Sequence, residues 1–374
     1  MKTSYIKSNS VIILLTLLSV AGFIIVENTM TYVKQKHYNE KMEAAVRTKN
    51  AIDYLKNYRM KNVLFVDDLN DPNETGIVGQ KYSQITTENS PLPIKLSTTN
   101  PNFAALAVQL LKDADVKEGD KIAVCMSGSF PALNIAVLSA LEVLKVNPIV
   151  IISVSSSSWG ANDPEFTFPD MIHILKGASV FKTIEFKYAS IGGMQDLGMS
   201  LSKTGRSMII DAIERNGLVL IDKGDLQSNI SERMKIIDAY SNGKPLKAFI
   251  NVGGGIASLG TAKNGEQIPS GLTKNMKLNK FPDKTGCIYE MAKRDVPIIN
   301  FLNLEKMMKD YKLPVNPVPL PEIGEGELYT VYQYNLKIVI GITAVLLLSI
   351  ALFVYIDRKK HQTGNDIISD EIQI

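Results

Sequence analysis

Two stretches of the chain have no polar alternation. Residues 11–26 (VIILLTLLSVAGFIIV) and 338–356 (IVIGITAVLLLSIALFVYI) carry no charge. The second reaches about 28 Å as a helix, the length a bilayer crossing needs. The first reaches about 24 Å, short of a hydrocarbon core of roughly 30 Å, and a signal peptide is the alternative reading. No small-x-small cleavage site follows it, and its polar ends can snorkel or the bilayer thin. The expectation is therefore an uncleaved anchor at each end.

Between the two apolar runs the pattern changes twice. Residues 30–60 lack Gly and Pro and set Tyr32, Met42, Ala45, Val46, Ile52 and Leu55 among Lys, Glu and Arg, which predicts an amphipathic helix leaving the membrane as a stalk. Residues 67–102 collect Asp, Asn, Thr, Pro and Gly, so they predict an irregular linker or lid. From Phe103 onward, helical periodicity alternates with short β-branched runs. Helices are expected at 103–113, 131–145, 168–176, 203–216, 228–241, 286–293 and 302–311, and strands at 121–126, 148–154, 182–187, 217–222, 246–252 and 296–300. Continuous apolar strands between helices predict an α/β fold, a mostly parallel Rossmann-like sheet with helices on both faces, tethered by N- and C-terminal transmembrane helices. Residues 314–327 (PVNPVPLPEIGEGE) read as a semi-rigid spacer.

Charge orients this arrangement. Lys2 and Lys7 precede the first run, and Arg358, Lys359 and Lys360 follow the second, as expected of cytoplasmic ends. The organisation expected is a cytoplasmic tail (1–10), a span (11–26), a stalk helix (27–66), a linker or lid (67–102), an extracytoplasmic α/β domain (103–313), a spacer (314–337), a span (338–356) and a cytoplasmic tail (357–374). The multi-pass chain then has both termini inside. With 41 Lys+Arg against 38 Asp+Glu, its net charge of +3 is too small for a nucleic-acid binder. Only His37, His173 and His361 are present, so a three-His zinc site would have to recruit all of them from positions spread over the whole chain, and Cys125 and Cys287 form no CxxC pair and make at most one disulfide. No metal site is expected, and no nucleotide or zinc signature points to a cofactor.

Chemistry is expected at the carboxyl ends of the strands. The first strand runs into Ser127-Gly128-Ser129-Phe130-Pro131, a capped helix start that can also receive an anion. The second runs into Ser155-Ser156-Ser157-Ser158-Trp159-Gly160-Ala161-Asn162-Asp163-Pro164-Glu165, which gathers hydroxyls, the single tryptophan, an amide and two carboxylates. Serines satisfy turns and a tryptophan packs on helices, yet Asn162, Asp163 and Glu165 suggest a ligand-facing role, with a carboxylate as base, amine partner or cation ligand. The strand at 246–252 leads into Gly253-Gly254-Gly255-Ile256-Ala257-Ser258, where three glycines permit close approach of backbone N–H groups to an anion. The loop 188–200 adds Gly192, Gly193 and Asp196 on the same edge. Lys263, Lys274, Lys277, Lys280 and Lys284 are either a solvated face or an attraction for a polyanion.

Enzyme templates fit poorly. A Ser/His/Asp triad needs His173, which sits on an apolar-patterned helix and reads as a packed side chain, and no GxSxG elbow is present. A carboxylate-based or Lys/Ser hydrolase stays open, with Asp163 or Glu165 as acid/base and Ser129 as candidate nucleophile.

The runs SGSFPALNIAVLSALEVL, SSSSWGANDPEFTFPDM and FINVGGGIASLG, set between two terminal spans, resemble the poly-γ-glutamate system proteins, membrane proteins associated with the synthesis and export of that polymer. The resemblance covers most of the outer domain and carries over no catalytic residue. It implies a process in which a separate ATP-dependent amide ligase makes the polymer with small membrane partners. The expected function is an accessory protein of poly-γ-glutamate (capsule or released polymer) production, its outer domain binding the anionic glutamate polymer, a glutamate-like group or a partner in that machinery. The competing readings are an extracytoplasmic amide hydrolase or transferase and a two-span sensor of a small solute.

Overall fold

The computed structural model describes residues 8–371. The chain divides into two compact units, Met1–Lys34 with Thr330–Ile374, and Gln35–Tyr329. In the first unit, α1 (Asn9–Asn28) and α13 (Leu336–Glu371) are joined to an antiparallel ribbon of β1 (Thr31–Lys34) and β11 (Thr330–Gln333). Asn9–Asn28 and Leu336–Lys359 are long and apolar enough to cross a membrane by length and composition. Their surfaces expose Leu14, Leu17 and Phe23 on α1 and Ile340, Leu348 and Leu352 on α13. The helices approach each other at Gly22, where a Cβ would lie 2.7 Å from Ile342 Cγ2. Lys2, Lys7 and residues 372–374 of the expected tails lie outside the described residues.

The second unit begins with α2 (Tyr38–Lys61), α3 (Leu92–Thr98), α4 (Phe103–Asp113), β2 (Lys121–Ser127), α5 (Pro131–Val143) and β3 (Asn147–Ser153). A small ribbon of β4 (Asn162–Asp163) and β5 (Phe166–Thr167) precedes α6 (Phe168–Gly177), β6 (Phe186–Ser190), α7 (Lys203–Arg215), β7 (Val219–Leu220) and α8 (Leu226–Ser241). The chain continues through β8 (Phe249–Val252), α9 (Ile256–Leu259), α10 (Ala262–Gln267), β9 (Gly271–Thr273), α11 (Cys287–Ala292), β10 (Ile298–Phe301) and α12 (Leu304–Asp310). Local chemistry explains several starts. Pro131 opens α5, a capping box of Thr167 and Asp170 opens α6, and Ser202 and Asp225 cap α7 and α8.

The sheet has seven strands in the order β7-β6-β3-β2-β8-β10-β9, parallel except for β9. Both faces are covered. Ile122, Val124 and Met126 of β2 pack with residues of α2, α4 and α5, while Ala123 and Cys125 point the other way, toward residues of α8, α9 and α11. A strand buried on both sides has no polar alternation, which is why the apolar runs predicted these strands.

Several expectations change. The stalk helix 27–66 is instead the end of α1, the strand β1 and α2, and α2 belongs to the core: Ala44, Ala45, Ala51, Ile52 and Leu55 are buried in the main cluster. Amphipathic periodicity does not tell a stalk from a helix laid on a sheet, and small residues on one face allow close packing. Segment 67–102 is not a free linker, because Ile77, Val78, Ile85 and Leu96 are buried and it contains α3. The spacer is a strap on the body, held by Tyr329 Oη donating to Asn102 Oδ1 (2.7 Å) and Asn102 Nδ2 donating to the Glu322 carbonyl (3.0 Å), before it enters β11. The compact body therefore exceeds 103–313. The expected strands 182–187 and 217–222 lie at 186–190 and 219–220, and β9 went unforeseen within a Gly- and Lys-rich stretch.

Candidate functional site

From β2 the chain steps outward through β3, β6 and β7, and then in the opposite direction through β8 and β10. β2 and β8 are thus the neighbours at which the order reverses, and ligands of open α/β sheets bind outside the carboxyl ends of such a pair. Ser127 ends β2 there, and its Oγ is buried without a hydrogen-bond partner. Gly253 leaves β8 at φ +84°, so close that a Cβ would lie 2.4 Å from Ser127 Oγ and 3.3 Å from Phe130 Cδ2. Only glycine permits that approach.

Buried amides fix both strand ends. Asn134 in α5 donates its Nδ2 to the Ser127 carbonyl (2.8 Å), and Asn251 Nδ2 donates to the Gly253 carbonyl (2.9 Å) and to Asn300 Oδ1 (2.8 Å). Gly254 is exposed with open space around it, and Ser258 Oγ is a second buried hydroxyl without a partner. The α5 N-terminus, the glycine turn and the free Ser127 hydroxyl suit a small anion.

The third loop joins the same edge. Ser129 Oγ accepts from the Ser157 N–H (3.1 Å), and the Gly128 carbonyl accepts from Ser156 Oγ (3.1 Å) and the Ala161 N–H (2.8 Å). Ser129, Trp159 and Gly253 therefore stand on one edge, linked through Phe130 and Gly160.

Most polar groups of 155–165 face inward. Asn162 accepts from the Gln80 N–H (2.8 Å) and donates to the Gln80 carbonyl (2.7 Å) and Thr86 Oγ1 (2.9 Å), and Ser158 Oγ donates to the Glu88 carbonyl (3.3 Å). Asp163 accepts from the Glu165 N–H (3.0 Å) and lies 3.7 Å from buried Arg59, whose pKa burial lowers against the pull of Asp163 and Asp71. Ser156, Ser158 and Asn162 thus hold segment 79–88 against the loop, while Asp163 faces Arg59 on α2. Ser129, Trp159, Glu165, Gly254 and Gly255 reach solvent. His173 is exposed on α6 rather than packed, and lines a cavity of about 300 Å³ with Pro169, Lys176, Phe186 and Leu218, beside the start of β6.

Two groups escaped the reading of the sequence. Lys95 on α3, 2% exposed, contacts the Ser129 carbonyl and places Nζ 2.8 Å from Ser157 Oγ and 4.0 Å from the Phe130 ring centre. Burial drives its pKa down to about 7. The signal was a lone lysine between Ile94 and Leu96 after a Pro-Leu-Pro start. The other group lies between the sheet and α8. Arg233 Nη2 donates to Ser153 Oγ (3.0 Å), Ser190 Oγ (2.6 Å) and Asp196 (3.0 Å to Oδ2), and its Nη1 lies 3.8 Å from Cys125 Sγ. Burial weighs against the Arg233 charge, but the Asp196 carboxylate outweighs it and raises its pKa. A hydrogen bond with Cys287 lowers Cys125, while the same bond and burial push Cys287 well up; both are free thiols. No protein-family model, curated protein or solved structure matches this chain.

Proposed function

We propose that the chain is a membrane-anchored accessory protein of poly-γ-glutamate production, with α1 and α13 as spans, both termini cytoplasmic and the α/β body outside. The crevice between β2 and β8 takes a carboxylate of the polymer or of a glutamate-like end group. The observation that carries this reading is the buried, unpartnered Ser127 hydroxyl set between the start of α5 and the Gly253 turn, three parts of the chain converging on one small polar recess. Lys263, Lys277, Lys280 and Lys284 add exposed positive charge without a carboxylate within 4.0 Å among the described residues, whereas Lys274 pairs with Asp115. Such a field attracts a polyanion in a salt-dependent way.

Titration calorimetry on the detergent-purified chain tests it, with poly-γ-glutamate, monomeric glutamate and a neutral polymer as ligands. The expected result is saturable, salt-sensitive binding of poly-γ-glutamate, lost in Gly254→Val, a site where a side chain meets no neighbour within 4 Å, and weakened in the triple variant Lys277→Glu, Lys280→Glu, Lys284→Glu. Equal heats for the neutral polymer, or full binding by Gly254→Val, overturn the reading.

A further inference from the structure

Lys95 is a buried amine that stability does not explain. Among the described residues Lys95 has no ion pair with a carboxylate, and its surroundings offer the Ser129 carbonyl, the Ser157 hydroxyl and the face of Phe130. A buried ammonium so poorly compensated is costly, and the amine sheds its proton instead. Burial accordingly brings it down to about 7, so near neutral pH a substantial fraction carries a free lone pair. One N–H then donates to the Ser129 carbonyl, and the lone pair accepts the Ser157 hydroxyl proton across 2.8 Å. That distance is the one a nucleophile and its base require.

The serine is held for the same arrangement. Its N–H donates to Ser129 Oγ (3.1 Å), and its carbonyl accepts from Ser156 Oγ (2.8 Å), which fixes the backbone on both sides of the side chain. Ser157 is 8% exposed, against 4% for Ser155, 0% for Ser156 and 2% for Ser158, so it is the residue of this run with the most surface open to solvent. Half-buried Ser129, Phe130 and Trp159 stand around it, and Trp159 lines a small cavity together with Lys95.

We propose that Ser157 is an acyl-accepting nucleophile with Lys95 as its general base, in a site for an amide or ester substrate. Ser157 Oγ attacks the substrate carbonyl carbon while its proton passes to Lys95 Nζ. The tetrahedral intermediate collapses, the carbon–nitrogen or carbon–oxygen bond breaks, and Lys95 returns the proton to the leaving amine or alkoxide. Water then attacks the Ser157 ester, giving one proton to Lys95; release of the carboxylic acid returns that proton to Ser157 Oγ. For an amine acceptor in place of water, the same cycle forms a new amide. This activity does not depend on polymer binding at the β2–β8 crevice, and a small probe tests it separately.

The full-length chain in detergent is incubated with a fluorophosphonate, in which the serine oxygen bonds to phosphorus and fluoride leaves, and the adduct is mapped by peptide mass. The expected adduct is on Ser157, forming at a rate that rises with pH up to about 7 and then levels off. Ser157→Ala abolishes it, and Lys95→Met slows it by about 100-fold or more, the usual worth of a general base. An adduct on Ser129 instead, no adduct at pH 8 on folded protein, or a wild-type rate in Lys95→Met overturns the proposal. If Lys95→Met does not fold, the wild-type pH profile decides, and a rate without an inflection near pH 7 overturns it.

Discussion

Arg233 Nη2 lies 3.0 Å from Asp196 Oδ2 with both side chains sealed from water, 1% and 0% exposed. The pair joins α8 to the loop after β6, and Asn229 Nδ2 adds a further bond to Asp196 (3.2 Å). Removing one partner of such a pair strands a buried charge. Asp196→Ala is expected to destabilise the body by about 3–5 kcal/mol, whereas the double variant Arg233→Met, Asp196→Leu recovers most of that loss. Thermal unfolding of the two detergent-purified variants measures this, and an Asp196→Ala protein as stable as the parent contradicts it.

The centre of the sheet was legible because β2, β3, β8 and β10 are largely buried on both faces, and several of the helices that follow strands carry their own start signal. Pro131, Thr167 and Ser202 are examples. β9 pairs antiparallel at the sheet edge over Gly271–Thr273, too short to leave a periodicity. Polar side chains were harder to read. Asn162 looked ligand-facing from composition, yet its partners Gln80 and Thr86 come from a segment that read as a linker or lid, and sequence carries no sign of which polar groups meet 82 and 76 positions apart. Lys95 was hidden for the same reason: in an irregular polar stretch a lysine reads as solvated, and only the fold of 77–99 over the serine loop buries it.

Burial of Lys95 gives stability a pH dependence with a defined sign. The folded chain loses this proton at about 7, the unfolded chain near 10.5. Between those values the unfolded state binds more protons, so stability rises with pH across that window, by up to about 1.4 kcal/mol per pH unit from this group. Below pH 7 both states carry the charge and the full penalty of burying it remains. Lys95→Met is therefore expected to be more stable than the parent at pH 6, with the gap closing toward pH 10. Melting temperatures of both proteins taken at each pH unit check the difference, and a gap that is constant or widens with pH refutes it.

Gly205 reverses an ordinary rule. It lies in the first turn of α7, and glycine to alanine in an open helix gains about 1 kcal/mol. Here a Cβ would sit 2.1 Å from the Gln84 carbonyl oxygen, a backbone atom that cannot swing aside. Gly205→Ala is expected to destabilise by about 1–3 kcal/mol, as overpacking does, and to loosen 80–88 from the serine loop. Faster amide exchange at Thr87 and Ser158, which are bonded between the two segments, is the specific sign; a stabilised variant with unchanged exchange rules it out.

The proposed topology can be read with thiol chemistry, because both native cysteines are buried and give little background. Lys244 is exposed in the turn after α8, and Arg358 is exposed on α13 beyond the apolar stretch. With α1 and α13 as spans and positive flanks inside, Lys244→Cys is expected to react with a membrane-impermeant maleimide on intact cells. Arg358→Cys is expected to react only after the membrane is opened. The reverse pattern places the body in the cytoplasm. An intact-mass measurement on the same samples decides the fate of α1: retention of the N-terminal residues means an anchor, while a chain that starts after Val26 means that α1 is a removed signal and α13 alone holds the protein.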